Sequence, residues 1–218
     1  MPRIVIFANG LMPEPERVRA LLRPDDFLIG ADGGARHIMS LGLLPNFVIG
    51  DLDSLTEDDV YELGSADVRV DQYPADKDET DLELAIQYAL QLDFTSIVIV
   101  AALGGRTDQA LGNISLLTDL AASNADIRFD DGVEEMFFCR NQAQVKGGSG
   151  DLVSLIPWGG DVSGVSTVGL KWTLRGETLF SYKTRGISNE MIDETATVQI
   201  KSGLLLIVHR RRAVIGNL

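Results

Sequence analysis

The stretch SIVIVAALGGRTDQALGNISLLTDLAA, residues 96–122, has the pattern of a short apolar strand, a glycine turn and a helix. The same alternation occurs three times upstream. The strand and helix segments are Arg3–Ala8 with Glu14–Leu22, Asp26–Ala31 with Ala35–Leu41, and Phe47–Ile49 with Asp81–Leu92. Repeated strand–helix units of this length are typical of βαβ folds. The first half of the chain is therefore predicted to be an α/β domain with a mostly parallel, Rossmann-like sheet.

The second half has a different texture, in which short β-rich runs are separated by glycines. The predicted strands are Glu135–Arg140, Asp151–Ile156, Gly169–Leu174, Thr178–Tyr182, Thr195–Ile200 and Leu204–Arg210. Closely spaced short strands are typical of an antiparallel sandwich or barrel. We therefore expect two domains, residues 1–126 and residues 127–218.

Composition limits the kinds of partner. The chain has 218 residues, 45% of them hydrophobic, and a net charge of −13, which argues against binding to nucleic acid because phosphate backbones attract Lys and Arg. A single cysteine, Cys139, excludes a disulfide framework and a cysteine-based zinc site. No segment reaches the ~20 apolar residues of a membrane span. We expect a cytoplasmic protein with no membrane partner.

Four acidic or glycine-rich clusters lie where predicted strands end and helices begin. They are ADGG at 31–34, GDLDS at 50–54, DKDETD at 76–81 and GGRTD at 104–108. In open α/β sheets, ligands bind outside the carboxyl ends of the strands, where helix N-termini offer free N–H groups. The clusters are therefore predicted to form one site.

Two of these clusters predict a metal. Asp51 and Asp53 are two residues apart, so in an extended chain their carboxylates point to the same side and repel each other unless a cation lies between them. Asp81 arrives from a neighbouring strand end, and Mg²⁺ prefers such oxygen ligands together with substrate phosphates. Lys77 and Arg106 supply positive charge for a polyphosphate. The acidic residues just downstream, Glu57–Asp59, are interpreted as a solvated loop.

Other chemistries find little support in the sequence. The two histidines, His37 and His209, lie on a predicted helix and on the last strand, and both are interpreted as structural. The Gly-Gly-Arg turn at 104–106 lacks the lysine of a Walker A motif. Gly147–Gly150 is interpreted as a hairpin turn.

In this order and spacing, the clusters resemble the thiamine pyrophosphokinase (thiamine diphosphokinase) family. The matching pieces are ADGGA at 31–35, P-x-x-VIGDLDS at 45–54, KD-x-TD at 77–81 and GGRTDQ at 104–109. In the second half they are GLKW at 169–172, Ser188-Asn189-Glu190 and SGLLLIV at 202–208. Each motif is modest, but their joint occurrence over nearly the whole chain is specific.

The resemblance implies a fold, a reaction and a set of site residues. The fold is an N-terminal α/β domain with a C-terminal β-sandwich, assembled as a homodimer with a shared active site. In the reaction, the hydroxyl of thiamine attacks the β-phosphorus of ATP, and AMP leaves. The implied residues are Asp51, Asp53 and Asp81 for Mg²⁺; Asp32, Asp78 and Asp108 as catalytic pocket residues; Gly104, Gly105, Arg106 and Lys77 for ATP; and Trp172, Ser188 and Asn189 for thiamine.

Several points stay open at the level of sequence. Gln109 stands where many bacterial members of the family have histidine, although other members carry glutamine. The sequence does not decide which of Asp32, Asp78 and Asp108 accepts the proton of the alcohol. Two alternatives remain: an ATP-dependent transferase for another small alcohol, and a non-catalytic module that binds thiamine or a nucleotide.

Overall fold

The computed structural model describes residues 2–120 and 125–212. The chain divides into two compact units, Met1–Asp131 and Gly132–Leu218. The boundary expected at residues 126–127 falls at the start of the last strand of the first unit. No helix in the described ranges is both long and apolar enough to span a bilayer.

The first unit is an α/β structure. Its strands are β1 (Ile4–Phe7), β2 (Phe27–Ala31), β3 (Phe47–Gly50), β4 (Arg69–Gln72), β5 (Ser96–Val100) and β6 (Asp126–Asp130). Its helices are α1 (Pro15–Leu21), α2 (Gly34–Ser40), α3 (Glu57–Ser65), α4 (Asp81–Leu90) and α5 (Thr107–Leu120). The strands pair in the order β6-β5-β1-β2-β3-β4, and every pair is parallel. The predicted α/β fold class is confirmed.

The centre of this sheet is buried on both faces. In β1, Ile4 pairs with Phe27 of β2 on one side and with Ile97 of β5 on the other. All four residues of β1 are at most 1% exposed. Because the strands are parallel, their carboxyl ends lie at one edge of the sheet, and β1 and β5 mark the point where the chain switches sides.

Two helix starts are fixed by threonine caps. Thr56 Oγ1 accepts from the backbone N–H of Asp59, and the Asp59 carboxylate accepts from the N–H of Thr56, a complete capping box. The prediction of a solvated loop at Glu57–Asp59 is therefore wrong. These residues form the first turn of α3, where the helix dipole favours their carboxylates. At α4, Thr80 Oγ1 accepts from the backbone N–H of Glu83.

The entry to α2 depends on a glycine. A side chain at Gly34 would collide with the carbonyl oxygen of Phe7 at the end of β1. We expect Gly34→Ala to lower the free energy of unfolding by about 3 kcal/mol, as overpacking against backbone does. Gly64→Ala is the matched control, since nothing lies within 4 Å of its added methyl group in α3. It should stabilise by roughly 0.5–1 kcal/mol. Urea titrations followed by far-ultraviolet circular dichroism measure both, and equal stability of the two variants would contradict this packing.

The second unit is all-β. Its strands are β7 (Glu134–Cys139), β8 (Gln142–Lys146), β9 (Leu152–Pro157), β10 (Val162–Val168), β11 (Arg175–Leu179), β12 (Asn189–Glu190), β13 (Thr195–Gln199) and β14 (Leu205–Arg210). They form two antiparallel groups, β12-β9-β14-β7 and β11-β10-β13-β8. Both groups contribute to one apolar core, for example through Val153 and Ile207 from the first and Val165 and Val198 from the second. The predicted β-sandwich is confirmed.

Individual strands of this unit differ from the prediction. The expected strand Gly169–Leu174 is wrong: Gly169 has a φ of +78°, and the segment pairs only through an isolated bridge between Leu170 and Met191. Strands β8, β10 and β12 were not predicted. Gly147–Gly150 forms the expected turn, but β8 and β9 on either side of it belong to different sheets, so the turn closes no hairpin.

A buried ionic cluster lies at the end of β14. His209 is fully buried, with Nδ1 2.9 Å from Glu135 Oε1 and Nε2 2.9 Å from Asp151 Oδ2. Asp151 also accepts from the backbone N–H groups of Gly148, at 2.9 Å, and Arg212, at 2.7 Å. Both ring nitrogens face carboxylates, so the arrangement favours the imidazolium, in which both donate. We call His209, Glu135 and Asp151 the histidine clamp.

Candidate active site

A cleft of about 600 Å³ opens at the carboxyl ends of β1, β2, β3 and β5. Its walls include the residues directly after β1, β2 and β3, the second residue after β5, and the N-terminal turns of α4 and α5. It therefore lies at the position where the sequence predicted a site. Six of the predicted site residues line it: Asp32, Asp51, Asp53, Asp81, Gly104 and Asp108.

Asp32 directly follows β2 and is held in a fixed position. Its φ of +48° lies in the left-handed region, which aspartate tolerates better than most residues. Its backbone N–H donates to Ile49 O at 2.8 Å, which ties it to β3, and the residue is only 5% exposed. A carboxylate so deeply placed requires hydrogen bonds or a cation to offset its lost hydration.

Three carboxylates converge in the cleft. One oxygen from each of Asp32, Asp51 and Asp53 lies within 4.8 Å of the other two. We call these three residues the acidic cluster. Their separation suits a divalent cation that takes oxygen ligands, and without positive charge the three would repel one another. The donor set therefore fits Mg²⁺.

Asp81 approaches the same space from the start of α4. Asp32 and Asp81 both pack against Gly50, where a side chain would press on each of them. Lys77 Nζ forms an ion pair with Asp81 Oδ1 at 3.0 Å. The contact does not meet the geometry of a hydrogen bond, and Asp81 Oδ1 has no hydrogen-bond partner within the described part of the chain. Burial raises the pKa of Asp81, and the negative charges of Asp51 and Asp32 raise it further. Lys77 lowers this pKa, but the net shift is upward.

Lys77 shares this electrostatic environment. Burial alone would lower its pKa, but contact with Asp81 and the charges of Asp51 and Asp32 raise it overall. Its ammonium therefore stays charged beside the carboxylates. Of the predicted site residues in this segment, only Asp81 lines the cleft within the described part of the chain; Lys77 and the exposed Asp78 do not.

The loop after β5 closes the other side. Gly104 and Gly105 both have positive φ values, +84° and +70°, which glycine adopts without strain. Arg106 donates from Nε and Nη2 to Asp108, at 3.2 and 2.6 Å, and this contact lowers the pKa of Asp108. Gly104 and Asp108 line the cleft, whereas Gly105 and Arg106 lie outside its described lining.

Some polar residues of the cleft were not predicted. Asn9, two residues beyond β1, donates from Nδ2 to Asp32 Oδ2 at 3.2 Å and to Ser54 Oγ at 2.9 Å. Asn113 of α5 donates to Ala102 O at 2.7 Å and holds the helix against the end of β5. The signal available for Asn9 was its place, a polar side chain two residues after a buried strand.

In the second unit, the three residues predicted to bind thiamine lie close together. Asn189 bonds both backbone groups of Trp172: its Oδ1 accepts from N–H at 3.0 Å and its Nδ2 donates to the carbonyl at 2.8 Å. The indole of Trp172 is left 56% exposed, with Lys171 Nζ 5.0 Å from its ring centroid. Ser188 has a φ of +58° and donates from its backbone to Ser154 Oγ at 3.0 Å.

Comparison with known proteins identifies the family. The family model described as the thiamin pyrophosphokinase catalytic domain matches residues 18–129, and the model described as the thiamin pyrophosphokinase vitamin B1 binding domain matches residues 141–205. The chain belongs to the thiamine pyrophosphokinase family. The resemblance inferred from the motifs is thereby confirmed. The catalytic-domain match contains the acidic cluster, and the second match contains Trp172, Ser188 and Asn189.

Individual members of the thiamine pyrophosphokinase family agree with this assignment. The chain is 32% identical over 182 residues to thiamine pyrophosphokinase of Bacillus subtilis, which covers 83% of this chain and 85% of the relative. The crystal structure of thiamine pyrophosphokinase from Bacillus subtilis superposes with a TM-score of 0.87 at 27% identity, over 97% of this chain and 100% of that one. Thiamin pyrophosphokinase from Candida albicans shares the fold, with a TM-score of 0.81 at 15% identity over 95% of this chain and 88% of its own.

Proposed function

We propose that this chain is a thiamine pyrophosphokinase, which transfers the pyrophosphoryl group of ATP to thiamine and yields thiamine diphosphate and AMP. The observation that carries the proposal is the acidic cluster at the strand ends, in a chain of this family. Carboxylates arranged in this way suit a polyphosphate that arrives with a metal ion.

The proposed metal site uses the residues of the acidic cluster. Asp51 and Asp53 would hold Mg²⁺ with Asp32 beside them, and Asp81, assigned to the same ion from the sequence, lines the same cleft. When bound, Mg²⁺ neutralises charge on the phosphate oxygens as a Lewis acid. Glycines at 104–105 and the N-terminus of the 14-residue helix α5 are proposed to receive the phosphates. Lys77 and Arg106 contribute positive charge nearby.

In the proposed reaction, the hydroxyl oxygen of thiamine forms a bond to the β-phosphorus. The bond between that phosphorus and the oxygen bridging to the α-phosphate breaks, and AMP leaves with the oxygen. Transfers of this kind depend mainly on alignment and charge neutralisation, so a strongly basic group is not needed. Of the three carboxylates considered as proton acceptors, Asp32 and Asp108 line the cleft and Asp78 does not, which favours the first two.

The proposal extends to the other partners and to the setting. Trp172, Ser188 and Asn189 are proposed to contact thiamine, since an exposed indole offers a flat apolar face to an aromatic ring. A homodimer with a shared active site and a cytoplasmic location, both expected from the sequence, remain part of the proposal.

The proposed function is tested by incubating the protein with Mg²⁺, ATP and thiamine and separating the products by chromatography. We expect AMP and thiamine diphosphate in equal amounts. Thiamine monophosphate is the matched control substrate, because its hydroxyl is already esterified, and it should give no AMP. Release of ADP would contradict pyrophosphoryl transfer. Thiamine binding without any product would indicate a binding module, and AMP release with a different alcohol alone would indicate another substrate.

A further inference from the structure

Asn9 occupies a rigid position at the switch point of the sheet. The residues on either side of it are fixed to the end of β5, since Ala8 N–H donates to Val100 O at 2.9 Å and Gly10 N–H donates to Ala101 O at 2.7 Å. The side chain of Asn9 therefore projects into the cleft from a backbone that has little freedom to move.

The direction of its hydrogen bonds follows from the chemistry of its neighbours. Ionised carboxylates only accept, so the group that Asn9 turns toward Asp32 Oδ2 is its amide nitrogen. For the same reason, the Ser54 hydroxyl donates to Asp53 Oδ1, at 3.2 Å, and accepts from Asn9 Nδ2, at 2.9 Å. Both amide hydrogens of Asn9 are used, one for Asp32 directly and one for Asp53 through Ser54.

The surrounding backbone is shaped to admit this amide. A side chain at Gly33 would collide with the carboxamide of Asn9, so glycine at this position leaves the space that Asn9 fills. Ser54 adds a second, longer bond, from its backbone N–H to Asp32 Oδ1 at 3.4 Å. Asn9, Ser54 and Asp32 thus form a closed set of contacts on one side of the acidic cluster.

We infer that Asn9 is a positioning residue that orients Asp32 and, through Ser54, Asp53 for a divalent cation. Groups that bond to metal-binding side chains set the orientation of those side chains, and their loss commonly lowers metal affinity about 10–100-fold. The inference rests on the proposed function for the identity of the bound ligand, but it concerns the geometry of the acidic cluster and not the reaction.

The test is the affinity of the full-length protein for Mn²⁺, a spectroscopic substitute for Mg²⁺, measured by electron paramagnetic resonance. Titrations are run alone and with α,β-methylene-ATP, in which the bond that would break is inert. Asn9→Ala should weaken Mn²⁺ binding about 10–100-fold and Ser54→Ala about tenfold. The Mn²⁺ affinity of the double variant should fall by less than the product of the two single-variant factors, because both residues act on Asp53 along one path. Asn141→Ala, an exposed asparagine of the second unit, is the matched control and should bind as the wild type does.

A merely structural role for Asn9 makes a different prediction. It would lower the melting temperature of Asn9→Ala and leave Mn²⁺ affinity unchanged, which would overturn the inference. Failure of the wild type to bind Mn²⁺ under either condition would also overturn it. If Asn9→Ala does not fold, Ser54→Ala decides, since wild-type affinity in that variant would exclude the relay. Metal binding needs no thiamine, so absence of thiamine diphosphate would count against the proposed function alone.

Discussion

Replacement of Asp53 by asparagine is expected to lower the rate of AMP release about a thousandfold, because a metal ion supplies several kcal/mol of transition-state stabilisation and each 1.4 kcal/mol is tenfold in rate. Asparagine keeps the shape of the side chain but removes one charge of the acidic cluster. The fold should survive, since Asp53 is exposed and accepts a hydrogen bond from Ser54 Oγ at the cleft surface. Initial rates at saturating ATP and thiamine measure the effect.

The matched control for this experiment is Asp58→Asn. Asp58 is an exposed carboxylate in the first turn of α3, outside the acidic cluster, so its loss affects only the helix dipole, by a few tenths of a kcal/mol. It should retain the wild-type rate. Full activity in Asp53→Asn would refute the assignment of this carboxylate to the metal site.

Loss of the histidine clamp is expected to cause the largest change in stability. His209→Ala leaves Glu135 and Asp151 facing each other across a buried space without the imidazolium between them, and breaking a buried ion pair from one side costs about 3–5 kcal/mol. Both tryptophans, Trp158 and Trp172, lie in the second unit, so their fluorescence during urea titration reports the unfolding of that unit.

The stability contributed by the clamp should depend on pH. Burial alone would lower the pKa of His209, but hydrogen bonds and charge from Glu135 and Asp151 raise it, so its contribution is complete below about pH 6.5, the unfolded value, and is lost as pH rises through the higher folded value. Burial would raise the pKa of Asp151, but hydrogen bonds from Arg212, Gly148 and His209 lower it overall. The stability that Asp151 contributes is therefore present above about pH 3.9 and is lost in acid. The gap between wild type and His209→Ala should be larger at pH 6 than at pH 9.

The control for the clamp is His37→Ala. His37 is only partly buried, and its Nε2 lies 2.9 Å from the carbonyl oxygen of Gly10. Loss of one such bond should cost no more than about 1.5 kcal/mol. An equal cost for the two histidine variants, or a gap for His209→Ala that does not change between pH 6 and pH 9, would contradict the clamp.

The parts predicted from sequence were those that local pattern determines. Strand–helix alternation predicted strands β1, β2, β3 and β5 of the parallel sheet, although not β4 or β6. The position of the acidic and glycine-rich motifs at strand ends predicted that they share one cleft. Local competition between structures explains the errors: the acidic run Glu57–Asp59 reads as a loop until Thr56 is recognised as its cap. In the sandwich, Val162–Val168 contains an internal glycine and small polar residues, and its register is irregular, so the pattern for a strand is weak.

The contacts that sequence did not predict join distant residues. His209 meets partners 74 and 58 residues away, and nothing near it in the chain indicates a carboxylate neighbour. Asn9 reaches Asp32 and Ser54 across 23 and 45 residues. The His209 contacts depend on the antiparallel pairing of β14 with β7 and β9. The Asn9 contacts depend on strand order in the first unit, because parallel strands bring their carboxyl ends together whatever their separation in sequence.

The fate of isotope in labelled ATP tests pyrophosphoryl transfer most directly. The protein is incubated with Mg²⁺, thiamine and ATP labelled in either the β-phosphate or the α-phosphate, and the products are separated. Attack at the β-phosphorus predicts that the β label appears in thiamine diphosphate and the α label in AMP. Retention of the β label in ADP, with thiamine monophosphate as the other product, would contradict the proposed reaction.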